Sequence, residues 1–169
     1  MPRFEHVRHR PPEPPSRPRE LVVACAPMRS HVNLSHIVRT CGCFGIPRVI
    51  ACGAAGLHGR IARDGADTVV LEVHRSLPPV LERLRGEGYE IVGLEQATHS
   101  QPLFGFPFAA RTVLVVGNER TGLEDDVLTR LDRVVEIPMA GMPHSLNAAT
   151  SAAVAIAEYC RQDRPGTGA

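Results

Sequence analysis

Thr112-Val113-Leu114-Val115-Val116-Gly117-Asn118-Glu119-Arg120-Thr121-Gly122-Leu123 is the stretch that sets the fold class. Its first five residues are apolar or β-branched with no polar alternation, which reads as a strand buried on both faces of a helix-covered parallel sheet. At Gly117 the chain turns abruptly polar and glycine-bounded, marking the carboxyl end of that strand, where ligands of open α/β sheets collect. Similar short runs flank it: Leu21–Ala26, Arg48–Cys52, Thr68–Val73, Tyr89–Leu94 and Arg133–Ile137. Helical periodicity falls between several of them, over Asn33–Phe44, Ser76–Gly86, Glu124–Leu131 and Ser145–Gln162. The alternation predicts a single-domain α/β parallel-sheet sandwich over residues 21–162.

Composition narrows the possibilities. A chain of 169 residues can bury a core that needs no disulfides. The formal net charge is +1, and all 19 basic residues are arginine. That excludes chemistry built on lysine, such as a Schiff base or a phosphate-loop lysine. It suits phosphate and nucleic acid, although compositional bias explains it equally simply. The five cysteines (Cys25, Cys41, Cys43, Cys52, Cys160) lie mostly in apolar segments and read as reduced thiols of a cytoplasmic protein. Cys41-Gly42-Cys43 lacks zinc-ligand spacing, so no metal is expected. No apolar run approaches the roughly 18 residues of a membrane span.

The ends differ from the middle. Residues 1–20 carry six of the 15 prolines, five arginines and three glutamates, too little apolar surface to order the segment. They read as a flexible leader, either passively solvated or a basic arm touching nucleic acid. Residues 163–169 read as a flexible tail.

Two helices are informative. In the first, Leu34, Ile37, Val38, Cys41 and Phe44 make one apolar stripe, and Arg39 projects to nearly the opposite side, beside His36 and Cys43. The last helix is expected to start at Ser145 as N-cap. It carries a stripe of Leu146, Ala149, Ala153, Ile156 and Cys160, and a second face of Ala148, Ala152 and Ala155. Two apolar faces fit either a helix sandwiched within the monomer or a homodimer contact.

The sequence contains no phosphate-loop, dinucleotide-binding, nucleophile-elbow or zinc-protease fingerprint; Gly53–Gly59 has the wrong spacing. Three stretches with polar residues instead sit where strands hand over to loops or helices: 33–40, 115–123 and 137–147. Singly, Asn33 or Ser145 could be helix caps and Asn118-Glu119 a turn.

Together these stretches resemble the three motifs of the SpoU family, TrmH-type RNA 2'-O-ribose methyltransferases of the SPOUT class. The matching residues are Asn33…Arg39-Thr40…Phe44-Gly45, Gly117-Asn118-Glu119-Arg120-Thr121-Gly122 and Ile137-Pro138-Met139…Ser145-Leu146-Asn147. The resemblance covers about residues 20–162. Segment Tyr89–Ser100 further resembles the branch that methylates guanosine 18 of tRNA; ribosomal RNA and wobble-position tRNA enzymes of the same family are alternatives, and a non-catalytic RNA-binding protein is the reading from another class.

The resemblance implies a C-terminal deep trefoil knot (the alpha-beta knot), a homodimer and S-adenosylmethionine as cofactor. It implies that Leu94, Glu95, Gly117, Ile137, Met139 and Leu146 line the cofactor site. The catalytic set it implies is Arg39, Asn33, Glu119, Ser145 and Asn147, with Arg29, Arg39 and Arg120 on RNA. Arg39 acts either as the group that activates the ribose hydroxyl or electrostatically, on a developing alkoxide or a phosphate; an arginine stays protonated at ordinary pH. Glu119 either orients these groups or pairs with Arg120. No metal is implied, because a sulfonium methyl is already activated.

Overall fold

The computed structural model describes residues 3–7, 10–15 and 17–162, so the expected tail over 163–169 lies outside the described residues. The elements in chain order are β1 (Leu21–Cys25), α1 (His31–Cys43), β2 (Arg48–Cys52), the single turns α2 (Gly59–Ala62) and α3 (Gly65–Thr68), and β3 (Val70–His74). There follow α4 (Pro78–Gly86), β4 (Glu90–Leu94), β5 (Gln101–Pro102), β6 (Thr112–Val116), α5 (Asp125–Leu128), β7 (Arg133–Glu136) and α6 (Ala148–Gln162). The strands form one sheet in the order β3-β2-β1-β6-β4-β7-β5, with every pair parallel.

Strand alternation divides the core into two layers. Leu21, Val23 and Cys25 of β1 and Leu114 and Val116 of β6 face α1 and α6; Val22 and Ala24 of β1 and Val113 and Val115 of β6 face α4 and α5. Both faces are covered, which is why these strands read as continuous apolar runs. Each fully buried Val, Leu or Ile contributes about 1.5–3 kcal/mol of transfer free energy.

The structure corrects several boundaries. Helix α1 starts at His31 with Ser30 as its cap, so Asn33 is inside the first turn and its N–H donates to Ser30 Oγ at 3.3 Å. Phe44 is only half-buried and ends that helix. Thr68 closes α3 and does not begin a strand, because Gly65 packs its backbone against α1, where an added Cβ would stand 3.0 Å from Arg39 Cα. Ser145 is not the cap of α6. Asn147 is, its Oδ1 accepting from the N–H groups of Ala149 at 2.9 Å and Thr150 at 3.3 Å.

The two-faced reading of α6 also changes. Ala152 and Ala155 are fully buried within the chain itself, Ala153 is half-buried and Leu146 is exposed. The small-residue face therefore packs inside the monomer and does not by itself call for a second copy. Residues 3–7 and 10–15 contain no helix or strand. Just before β1, however, Arg19 donates to the Phe44 carbonyl, fixing the end of the leader to the fold.

Candidate functional site

A cavity of about 260 Å³ opens at the carboxyl ends of β6, β4 and β7, where three connections meet. Leu94, Glu95, Gly117, Ile137, Met139 and Leu146 all line it, as do Glu119, Arg120 and Ser145. Its wall thus combines aliphatic side chains with carboxylates and backbone amides. Such a mixture suits a ligand with a flat apolar portion and charged substituents.

The loop between β6 and α5 owes its shape to two glycines. Asn118 and Gly122 exchange backbone hydrogen bonds of 2.9 and 3.0 Å, closing a tight turn. A Cβ on Gly117 would lie 2.6 Å from the Gly122 carbonyl carbon, so Gly117 is required by the loop's contact with itself. Gly122 has φ +66, and a Cβ there would stand 2.4 Å from Glu95 Oε2. Glu95 accepts from the N–H of Leu123 at 3.0 Å and of Gln96 at 3.0 Å. Its carboxylate therefore braces the loop as well as lining the cavity.

A chain of polar contacts joins the three motif stretches. Asn147 Nδ2 donates to Asn33 Oδ1 at 3.1 Å, and Asn33 Nδ2 donates to Glu119 Oε1 at 3.0 Å. Glu119 also accepts from the N–H groups of Ser30 at 3.1 Å and Arg29 at 3.2 Å, at the start of α1. Burial works to raise the Glu119 pKa. The hydrogen bonds from its own backbone, from Asn33, Arg29 and Ser30 outweigh that and hold the carboxyl below its ordinary range. It is an ionised acceptor at a helix N-terminus, and among the described residues it has no ion pair with Arg120.

The arginines separate. Arg120 lies in the cavity wall and Arg29 reaches the site through its backbone, both with exposed side chains. Arg39 is exposed on α1, six residues beyond Asn33, and is not in the cavity wall. At 1.5 Å rise per residue it stands roughly 9 Å further along the helix.

Sequence reading missed four contributors. Asn118 shapes the loop by accepting from Arg120 N–H at 2.9 Å and donates to the Pro27 carbonyl at 2.6 Å. Gln96 donates to the His144 carbonyl at 3.2 Å, pinning the 137–147 stretch to the end of β4. Glu136 and Ser151 line the cavity. Asn118 sat inside a recognised motif, Glu136 immediately precedes one, and Gln96 falls in the Tyr89–Ser100 segment; Ser151 carried no local signal. Among the described residues, no three His, Cys, Asp or Glu side chains are grouped to hold a metal ion, and no helix is long and apolar enough to cross a membrane.

Comparison with known proteins gives a consistent picture. The profile of the SpoU rRNA Methylase family matches residues 20–157. A tRNA (guanosine(18)-2'-O)-methyltransferase of Mus musculus is 32% identical over 152 residues, covering 86% of this chain and 10% of the mouse protein. The tRNA (guanosine(18)-2'-O)-methyltransferase of Escherichia coli K12 is 26% identical over 146 residues, covering 85% of this chain and 64% of that protein. The chain thus spans less than two thirds of either relative. Among solved structures, the A. aeolicus TrmH/SpoU tRNA modifying enzyme superposes with a TM-score of 0.81 at 28% identity, covering 88% of this chain and 77% of the other. The SpoU methyltransferase AviRb of Streptomyces viridochromogenes, in complex with AdoMet, superposes with a TM-score of 0.75 at 28% identity, covering 88% and 62%.

Proposed function

The chain belongs to the SpoU rRNA Methylase family, and from that premise we propose that it is an S-adenosylmethionine-dependent RNA 2'-O-ribose methyltransferase. The observation that carries this reading is the convergence of three distant stretches, through Asn33, Glu119 and Asn147, beside one cavity at the carboxyl ends of β4, β6 and β7. The residues present suit the cofactor. Leu94, Ile137 and Leu146 offer aliphatic surface for an adenine, and three acidic residues of the lining (Glu95, Glu119 and Glu136) give the cavity a negative charge that suits a group bearing a sulfonium and an ammonium. When bound, S-adenosylmethionine supplies a methyl group already activated by its positive sulfur.

The chain's own residues then align and stabilise. Glu119, ionised and fully engaged by N–H donors, orients Asn33 and the start of α1. Asn33 and Asn147 hold the first and third stretches in register, and Ser145 presents a hydroxyl at the cavity wall. Arg39 stabilises negative charge developing on the ribose oxygen, or holds the adjacent phosphate. Because Arg39 lies outside the cavity wall, we place the working site in a homodimer, where Arg39 of one copy serves the cavity of the other. A C-terminal knot belongs to the same reading. It is supported by β7 lying between β4 and β5, with α5 before it and α6 after it on opposite faces of the sheet.

The substrate we favour is tRNA, with guanosine 18 as the target, following the activity named for the mouse and E. coli relatives. Titration calorimetry with S-adenosylmethionine, followed by mapping of 2'-O-methyl groups on total tRNA and rRNA incubated with the protein, tests it. Binding and a new methyl at guanosine 18 are expected. A methyl at a wobble nucleotide or in rRNA would move the target, and neither binding nor methylation would leave a non-catalytic RNA-binding protein.

A further inference from the structure

The arginines that pair with carboxylates gather at one end of the sheet. Arg48 opens β2, Arg133 opens β7 and Arg111 immediately precedes β6; they pair with Glu72, Glu90 and Glu20. Arg85, near the end of α4, pairs with Asp132, and Arg130, just past α5, pairs with Glu82 and Asp126. All of these stand where the chain enters a strand or returns toward that edge.

The opposite edge differs. Arg29, Arg75 and Arg120 follow the carboxyl ends of β1, β3 and β6, and Arg60 and Arg63 lie in the connection leaving β2. These five are exposed, and none has an ion pair among the described residues. Asp64 and Asp67 share the connection with Arg63 without pairing to it. The near-zero net charge therefore conceals arginines paired at one edge and open guanidinium forks at the other and along the flank of α1, where Arg39 is also exposed and has no ion pair among the described residues. Such forks match phosphate oxygens bidentately. With strands about 4.8 Å apart, the edge from β3 to β6 spans roughly 14 Å and ends at Arg120 in the cavity wall.

We propose that the carboxyl edge of the sheet from β3 to β6, continued down the flank beside α1, is the surface that holds the RNA phosphate backbone, with Arg75 at the edge and Arg60 and Arg63 on the flank, where the connection after β2 packs along α1, as contacts remote from the cavity. The inference rests on the RNA reading above and extends it to residues outside the three motif stretches. The contacts are electrostatic and sequence-independent, so they set affinity and its salt dependence while the cavity end sets the chemistry.

The test is the combined variant Arg60→Gln, Arg63→Gln, Arg75→Gln. Binding of a fluorescent tRNA transcript is followed by anisotropy across a potassium chloride series, beside S-adenosylmethionine calorimetry and an Arg85→Gln control at the paired edge. The expected result is about tenfold or more weaker RNA binding, with a salt slope shallower by about 2. Cofactor affinity should be unchanged, and the control should bind RNA like the unmodified protein. Equal affinity and slope in the triple variant would overturn the proposal, as would an equal loss in Arg85→Gln. If the unmodified protein binds no RNA even at low salt, the RNA reading itself falls and takes this surface with it.

Discussion

Asn147 Nδ2 donates to Asn33 Oδ1 at 3.1 Å, across 114 residues of chain. The same Asn147 caps α6 through its Oδ1, and the same Asn33 donates to Glu119. One asparagine pair thus ties the start of the last helix to the start of the first, beside the cavity. Replacing either asparagine leaves a partner short of a hydrogen bond. Asn147→Ala is expected to cost about 0.5–2 kcal/mol through the lost cap alone. Asn33→Ala and Asn147→Ala combined should destabilise by less than the sum of the two, with a coupling of roughly 0.5 kcal/mol or more. Urea unfolding of the four proteins in the cycle measures it, and strict additivity would show that the pair is not coupled.

Gly122→Ala should distort the loop between β6 and α5. The residue sits at φ +66 and its new methyl would meet the Glu95 carboxylate. Backbone strain alone is worth roughly 1–3 kcal/mol. Cofactor affinity measured by calorimetry should fall by about tenfold, which corresponds to about 1.4 kcal/mol. Glu95→Ala removes the contact but also the acceptor of the Leu123 N–H and a carboxylate of the cavity wall, so the double variant should bind cofactor no better than Gly122→Ala.

Arg39→Ala should abolish methyl transfer while leaving cofactor affinity within a few-fold, because Arg39 is outside the cavity wall. Mixing this variant with a Gly122→Ala chain offers a check on the dimer. If one copy's Arg39 serves the other's cavity, mixed dimers place an intact Arg39 against an intact loop and regain activity. At a cofactor concentration too low to load the Gly122→Ala chain, two chains that gain no activity on mixing would place Arg39 and the cavity in the same copy.

Acid sensitivity should map to Glu158 and Glu72. Their carboxyls are held down to about 2, Glu158 by its hydrogen bond to Arg161 and Glu72 by its hydrogen bond to Arg48. A depressed folded-state pKa contributes stability above the unfolded value near 4.5, and that contribution disappears as pH falls toward 2. Glu158→Gln should therefore flatten the dependence of the unfolding midpoint on pH between about 4.5 and 2. Its exposed Arg161 partner keeps the effect modest, and an unchanged slope would leave Glu158 without a linked role.

Thiol reactivity should single out one cysteine. Cys25, Cys41, Cys52 and Cys160 are buried and Cys43 is exposed. Burial raises Cys41 to about 12 and Cys52 to about 11, and drives Cys25 higher still. A thiol kept protonated does not alkylate. Brief iodoacetamide treatment of the native protein should add one group, at Cys43, and treatment in denaturant should add five; mass spectrometry reads both.

What the sequence alone determined was local. The run Thr112–Val116 announced a doubly covered strand because continuous apolar character is a property of neighbouring residues, and it is a strand over that same span. The Leu34, Ile37, Val38, Cys41 stripe likewise appears as the buried face of α1. The polar stretches at strand ends were visible for the same reason.

What the tertiary structure decided concerns partners far apart in the chain. The two-residue strand β5 exists only because β7 lies beside it. The cap of α6 fell to Asn147, which also meets Asn33, and Ser145 was left in the cavity wall. Ala152 and Ala155 proved to be interior, because α6 lies against α1 and the sheet at once. The partition of arginines between a paired and an open edge is likewise invisible in a net charge of +1. Periodicity and composition are fixed by adjacent residues. Hydrogen-bond partners, burial and ion pairing are fixed by which strand ends the fold brings together.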